Sequence, residues 1–311
     1  MKIAIIGAGA MGSLYGAKLS EGGHEVWLID IMREHVESIK TAGLIVEEKD
    51  EKGNFAEIVY RNLNSTMDPL EAGIAELAII FVKSTMTGKA VKENRAVFGR
   101  DTVALTLQNG LGNLEAIECE IGTGRTVAGT TAHGATMLGP GKIRHAGIGK
   151  TLIGELDGIR TERLDTIVDI FVQAGLDTEW SQNVVGLLWD KLLVNTGINA
   201  LTALSGQQNG KLIESRELKE ILEMAVEEGM LVAAAKGILL SYEDPVAHTK
   251  EICAATAENK SSMLQDVLNG RMTEIDMING AIVKEGKALG ISTPVNTVLS
   301  NLIKAKQYFG G

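Results

Sequence analysis

The chain has 311 residues, 45% of them hydrophobic, with 40 acidic against 30 basic side chains and a formal net charge of −10. That balance excludes a disordered polypeptide and argues against nucleic acid or an anionic membrane as partner, while the length points to two domains. Its two cysteines, Cys119 and Cys253, stand far apart, which excludes a disulfide framework or a cysteine-based zinc site. No apolar run approaches the ~20 residues that cross a bilayer, and the start lacks the pattern of a secretory signal, so the expected location is cytoplasmic.

In chain order, residues 3–6 form a short apolar run suited to a buried strand. Gly7, Gly9 and Gly12 follow in G-x-G-x-x-G spacing, with Ala10 and Met11 between the last two, and the pattern turns helical through Leu14, Ala17, Lys18 and Leu19. In a dinucleotide site the first glycine permits a tight turn and the second lets backbone approach a pyrophosphate. The third lets helix pack against strand, and the helix start offers free N–H groups to the phosphates. A second strand, residues 25–30, ends in Asp30. An acid there accepts hydrogen bonds from the adenosine ribose hydroxyls and repels a 2′-phosphate, which favours NAD(H). Arg33 could oppose this preference if its loop folds back onto a 2′-phosphate.

Further apolar runs at 77–82, 102–107, 127–131 and 151–154 predict a parallel α/β sheet, whose ligands bind at the carboxyl ends of the strands. Lys83, Asn109 and His133 each stand just after such a run and are expected to face one crevice. Beyond residue 180 the strand signals cease, and 184–204, 218–235, 256–268, 274–289 and 295–306 read as helices. The expected organisation is a Rossmann-type domain over residues 1–181 and an all-helical domain over 182–311 that closes over the crevice.

Within the helical half, Lys191, Asn195 and Asn199 fall four apart and form a polar stripe on an otherwise apolar helix. The stripe is either an exposed edge or a ligand-facing row with a cationic acid at one end. Asn269-Gly270 is a helix stop, and Thr273 with Asp276 resembles a capping box that would place Glu274 in the first turn of the next helix. There the dipole favours its ionised form, and an ionised Glu274 near Lys191 would keep that lysine protonated; the alternative is a surface acid at a helix start. His133 is the rival candidate for the acid. The other histidines, His24, His35, His145 and His248, show no metal-ligand spacing, so no metal is expected.

These motifs, in order, resemble the ketopantoate reductase (2-dehydropantoate 2-reductase) family. The resemblance runs through 7–12, Lys83-Ser84, 108–113, 130–135, 141–145, 191–202, 261–266, 273–280 and Thr293-Pro294, essentially the whole chain. It implies an N-terminal Rossmann domain, a helical C-terminal domain, an active site between them, and a place in pantothenate synthesis. It further implies that Lys191 is the general acid protonating the ketone oxygen, and that Glu274 anchors the substrate hydroxyl and the lysine. Asn195, Asn199 and Ser262 would bind substrate, Asn109 substrate and nicotinamide, and Lys83 the NAD(P)H cofactor. The expected partner is a small 2-oxo acid, with a homodimer left open. Members specific for NADPH carry a basic residue where this chain has Asp30, so an NAD-dependent D-2-hydroxyacid dehydrogenase of the same fold is the second reading. A cofactor-binding sensor without turnover is the third, and it would need neither Lys191 nor Glu274.

Overall fold

A computed structural model describes residues 1–49 and 53–309. They form two compact units, Met1–Gln108 with Asn113–Val184, and Asn109–Gly112 with Val185–Gly311. The strands in chain order are β1 (Lys2–Ile6), β2 (Glu25–Ile29), β3 (Leu44–Lys49), β4 (Phe55–Tyr60), β5 (Asn64–Thr66) and β6 (Ala75–Ile80). They continue with β7 (Phe98–Thr106), β8 (Thr126–Thr131), β9 (Gly134–Gly139), β10 (Lys142–Gly147), β11 (Thr151–Gly154) and β12 (Thr178–Trp180). The helices among them are α1 (Ala10–Glu21), α2 (Arg33–Ala42), α3 (Pro69–Ala72), α4 (Thr87–Glu93), α5 (Asn113–Ile121) and α6 (Glu162–Gln173).

The central sheet has the order β12-β11-β8-β7-β6-β1-β2-β5. Its central strands β1, β2 and β6 are apolar at nearly every position because alternate residues enter two different cores. Ile3 and Ile5 of β1, with Leu28 and Ile79 beside them, pack on Leu14, Tyr15 and Phe171. Ala4, Ile6 and Ile80 point the other way, onto Val91 and Ile117. Parallel pairing holds the register, with Ile3 opposite both Val26 and Leu77.

The sheet departs from the expected parallel pattern at one end, because β11 pairs antiparallel with β8. No helix lies between them: the glycine-rich connection folds into β9 and β10, so no crossover exists to bring β11 back parallel. Those two strands join β3 and β4 in a separate sheet of order β4-β3-β10-β9. Its four partly exposed strands carry no apolar run longer than three residues.

The second unit takes up the chain as α7 (Val184–Ser205), α8 (Lys211–Glu214), α9 (Arg216–Ala235), α10 (Pro245–Ala255), α11 (Ser262–Leu268), α12 (Asn279–Leu289) and α13 (Pro294–Phe309). No strand occurs here among the described residues, and no helix is long and apolar enough to cross a membrane. α7 and α9 cross closely, since a Cβ on Gly197 would lie 2.9 Å from Val226 and one on Gly229 2.4 Å from Leu193. A buried polar hub ties four helices together. The Glu228 carboxylate accepts N–H bonds from Val295 and Asn296, and the Asn279 amide donates to the Thr196 carbonyl and to Asn296.

α8 and α10 fall outside the expected helices, and two expected helices start later than expected. Residues 256–261 are not helical: Ala257 and Asn259 carbonyls accept the amides of Gly210 and Asn209, and Ser261 caps α11 by accepting the Leu264 N–H. The helix expected from Glu274 begins only at Asn279, after a 3-10 turn at Ile275–Met277. The Thr273–Asp276 capping box does not form: Thr273 accepts the Ile275 N–H, and Asp276 pairs with Lys304 at 2.5 Å.

Candidate active site

The three glycines of the opening motif differ in what surrounds them. Gly7 has φ +93°, the left-handed conformation the turn requires, and donates its N–H to the Ile29 carbonyl at 2.8 Å. A Cβ on Gly12 would lie 2.0 Å from the Gly7 carbonyl oxygen, so only glycine lets α1 start so close to β1. Gly9 is unlike either. Its φ of −59° suits any residue, and a Cβ there would meet no atom of the protein within 4 Å. The first bond along α1 runs from the Ser13 N–H to the Gly9 carbonyl, and no side chain caps the helix. The amides of Ala10, Met11 and Gly12 therefore precede the bonded ladder and face the open space beside Gly9. This is a cradle that fits a dinucleotide pyrophosphate.

Asp30 follows β2 immediately, and one of its carboxylate oxygens accepts the Met32 N–H at 2.9 Å. That Asx turn fixes the carboxylate near the strand end. Arg33 opens α2 as an exposed side chain. Lys83 stands beyond β6, half-buried at the head of a 3-10 turn, its carbonyl accepting the Met86 N–H. Beside it lies a polar network to which the sequence reading attached no role. Gln108 donates to the Val82 carbonyl at 2.6 Å and to the Thr87 hydroxyl, which donates in turn to Asn113. These bonds set the path of the chain at the carboxyl ends of β6 and β7.

In the second unit the polar stripe lies on α7 as expected, and it is not an exposed edge. Lys191 and Asn195 are half-buried and Asn199 is buried. Asn199 donates to the Ser262 hydroxyl at 3.5 Å, while Thr202, three residues further along the helix, bonds Ser261 at 2.6 Å. The Asn195 amide nitrogen is buried without a hydrogen-bond partner, a costly arrangement unless a bound group satisfies it. Burial lowers the Lys191 ammonium to about 8, and the charge of Glu274 opposes that fall. Glu274 is half-buried at the head of the 3-10 turn rather than in the first turn of a helix. The turn itself is held by residues 109–112: the Leu111 N–H donates to the Met277 carbonyl, and a Cβ on Gly110 would lie 2.5 Å from that oxygen. Asn109, Lys191, Asn195, Asn199, Ser262 and Glu274 thus all belong to the second unit, and the glycine loop, Asp30 and Lys83 to the first.

His133 stands two residues past β8. It is buried beside Tyr15 and shares a 3.1 Å hydrogen bond with His145. His145 lies 3.6 Å from Glu48, which Lys18 also pairs at 2.7 Å. Hydrogen bonding from His145 and the Lys18 ammonium hold the Glu48 carboxyl down to about 2. Burial and the neighbouring His145 push the His133 pKa below the usual histidine value, which disfavours a proton there and argues against the role of acid.

The profile of the family Ketopantoate reductase PanE/ApbA matches residues 3–158, and that of its C-terminal domain matches residues 183–307. The chain belongs to the ketopantoate reductase family. A 2-dehydropantoate 2-reductase of Pyrococcus horikoshii is 37% identical over 100% of this chain and 99% of its own. The crystal structure of a PanE/ApbA family ketopantoate reductase from Ralstonia eutropha is 33% identical over 100% and 99% of the two chains, with a TM-score of 0.91. A D-mandelate dehydrogenase, solved with NADH and anilino(oxo)acetate, is 31% identical over the same shares, with a TM-score of 0.92. Ketopantoate reductases and a mandelate dehydrogenase therefore share this backbone, and side chains must distinguish substrates within it.

Proposed function

We propose that the protein is a 2-dehydropantoate 2-reductase, reducing the 2-oxo group of ketopantoate to the hydroxyl of pantoate, with NADH preferred over NADPH. The observation that carries this reading is Lys191. An ammonium on an apolar helix, lowered to about 8 and opposed by one carboxylate, is a general acid tuned toward neutral pH. The nicotinamide, when bound, supplies the hydride. Lys191 polarises the ketone and donates its proton to the oxygen as charge develops there. Asn195 and Asn199 line the same stripe as donors for substrate oxygens, the Asn195 amide being the group left without a partner, and Ser262 joins Asn199. Glu274 receives the substrate hydroxyl, and Asn109 and Lys83 serve the cofactor. The preference for NADH rests on Asp30, which suits two ribose hydroxyls better than a phosphate.

The second reading, an NAD-dependent D-2-hydroxyacid dehydrogenase, is favoured by Asp30 and by the likeness to the mandelate enzyme. Steady-state rates with ketopantoate and other branched 2-oxo acids, each with NADH and NADPH, separate the two. Ketopantoate should give the highest kcat/KM, and Glu274→Ala should penalise it more than an acid lacking the 4-hydroxyl. A wild-type preference for substrates without that hydroxyl would replace the first reading with the second. No turnover of any 2-oxo acid would refute both.

A further inference from the structure

His35 stands on α2, outside the G-x-G-x-x-G motif and without any role in the reading above, yet its ring is 1% exposed and bonded at both nitrogens. Nδ1 lies 2.9 Å from the Gly141 nitrogen, and Nε2 lies 3.2 Å from the Ser13 hydroxyl. That hydroxyl donates at 2.8 Å to the carbonyl of Ala8, the residue between the first two glycines of the motif. The two ends of this chain of bonds have fixed polarity. A backbone N–H can only donate and a carbonyl can only accept. Gly141 therefore requires a lone pair on Nδ1, which leaves the ring's proton on Nε2, directed toward Ser13 and Ala8. One neutral tautomer satisfies every group, and an imidazolium cannot, because it would set an N–H against the Gly141 N–H.

The Gly141 end is as constrained as the loop end. Gly141 has φ +70°, a Cβ on it would lie 2.2 Å from the Ser38 hydroxyl oxygen, and its carbonyl accepts the Ile45 N–H. The turn between β9 and β10 is thus seated on α2 and on β3, and through His35 it braces the glycine loop from behind. The ring's surroundings add one formal charge, Asp30 at the end of β2; α1 contributes the Ser13 hydroxyl and the β9–β10 turn a backbone amide. Burial lowers the ring's pKa below the ordinary histidine value, with Asp30 and the Ala8 carbonyl opposing.

We propose that His35 is a positioning residue for cofactor binding: in its neutral Nε2–H tautomer it ties the Gly141 turn to Ser13 and the Ala8 carbonyl and so braces the glycine loop in the shape that receives the dinucleotide phosphates, and protonation at Nδ1 breaks the Gly141 bond and loosens that brace. It rests on the dinucleotide site of the proposed function. Cofactor affinity should consequently fall on the acid side, below the ordinary titration range of histidine.

The test is equilibrium binding of NADH and of NADPH to the full chain, followed by nucleotide fluorescence across acid to neutral pH, with thermal unfolding as a parallel readout. His35→Leu removes both bonds and should weaken binding about tenfold at neutral pH, as expected when a cradle of hydrogen-bond donors loses its support. His35→Gln offers one acceptor and one donor at nearly the separation of the two ring nitrogens. It should bind within about threefold of wild type, and its affinity should no longer fall at acid pH. A glutamine variant that keeps the acid limb would overturn the proposal, because another group then titrates. So would a folded leucine variant that binds as tightly as wild type. If the leucine variant does not fold, the pH profile of the glutamine variant decides. Failure of the wild type to bind either nucleotide would refute the proposed function, and this inference with it, whereas wild-type binding with unaltered variants would remove only the role of His35.

Discussion

Lys191→Met tests the energetic cost of the candidate acid apart from its chemistry. Methionine matches the length of the lysine stem without a charge. Lowering the ammonium from 10.5 to about 8 costs about 3 kcal/mol of folding free energy at neutral pH, because the unfolded chain holds the proton more tightly. Relaxation, and the loss of Glu274's counter-charge, reduce what the substitution recovers, so the variant should be about 1–3 kcal/mol more stable than wild type at pH 7. The sign follows from linkage. Between about 8 and 10.5 the unfolded state binds more protons than the folded state, so wild-type stability rises with pH across that window. Methionine has no such dependence, and its advantage should shrink toward pH 10.5. Urea unfolding of both proteins at pH 7 and pH 10 measures this directly, with turnover expected to fall about 10²–10⁴-fold in the same variant. A variant less stable than wild type at pH 7, or an advantage that does not shrink with pH, would refute a desolvated lysine at this position.

Gly9→Ala should fold as well as wild type, since its Cβ meets nothing of the protein, yet lose about tenfold or more in nucleotide affinity; Gly12→Ala, facing the Gly7 carbonyl at 2.0 Å, should lower the unfolding temperature itself. Equal thermal shifts in the two would show that the space beside Gly9 is not reserved for a ligand. Asp30→Ala should narrow or reverse the ratio of kcat/KM for NADH over NADPH, measured at one ionic strength. An unchanged ratio would mean that the Asp30 carboxylate is turned away from the ribose.

Legibility in the sequence followed the range of the interactions. The glycine spacing at 7–12 and the four-residue spacing of Lys191, Asn195 and Asn199 are local periodicities, and both lie on the elements they predict. The location of Glu274 is not local. Its turn depends on the bond from Leu111 to Met277, between residues far apart in the chain, so a helix start was the natural reading of Thr273 and Asp276 alone. Glu228 escaped for a similar reason: an acid in mid-helix reads as surface until the N-terminus of α13 is brought onto it. His35 shows no metal-ligand spacing, and its partners are a backbone amide and a serine, which carry no sequence signature.

The small sheet has a developmental consequence. β3 and β4 are inserted before β5, and β9 and β10 after β8, and the two insertions meet through the parallel pairing of Val46 with Ile143 and its neighbours and through ion pairs such as Lys142 with Glu57. Each hairpin alone is a two-stranded ribbon of marginal stability. On the ribosome the first must wait, edge exposed, while more than eighty further residues emerge before its partner arrives. Shortening one insertion strips the survivor of its neighbour and leaves an unpaired strand. The pair should therefore be inherited, trimmed or lost as one module, although the chain encodes its halves in two separate places.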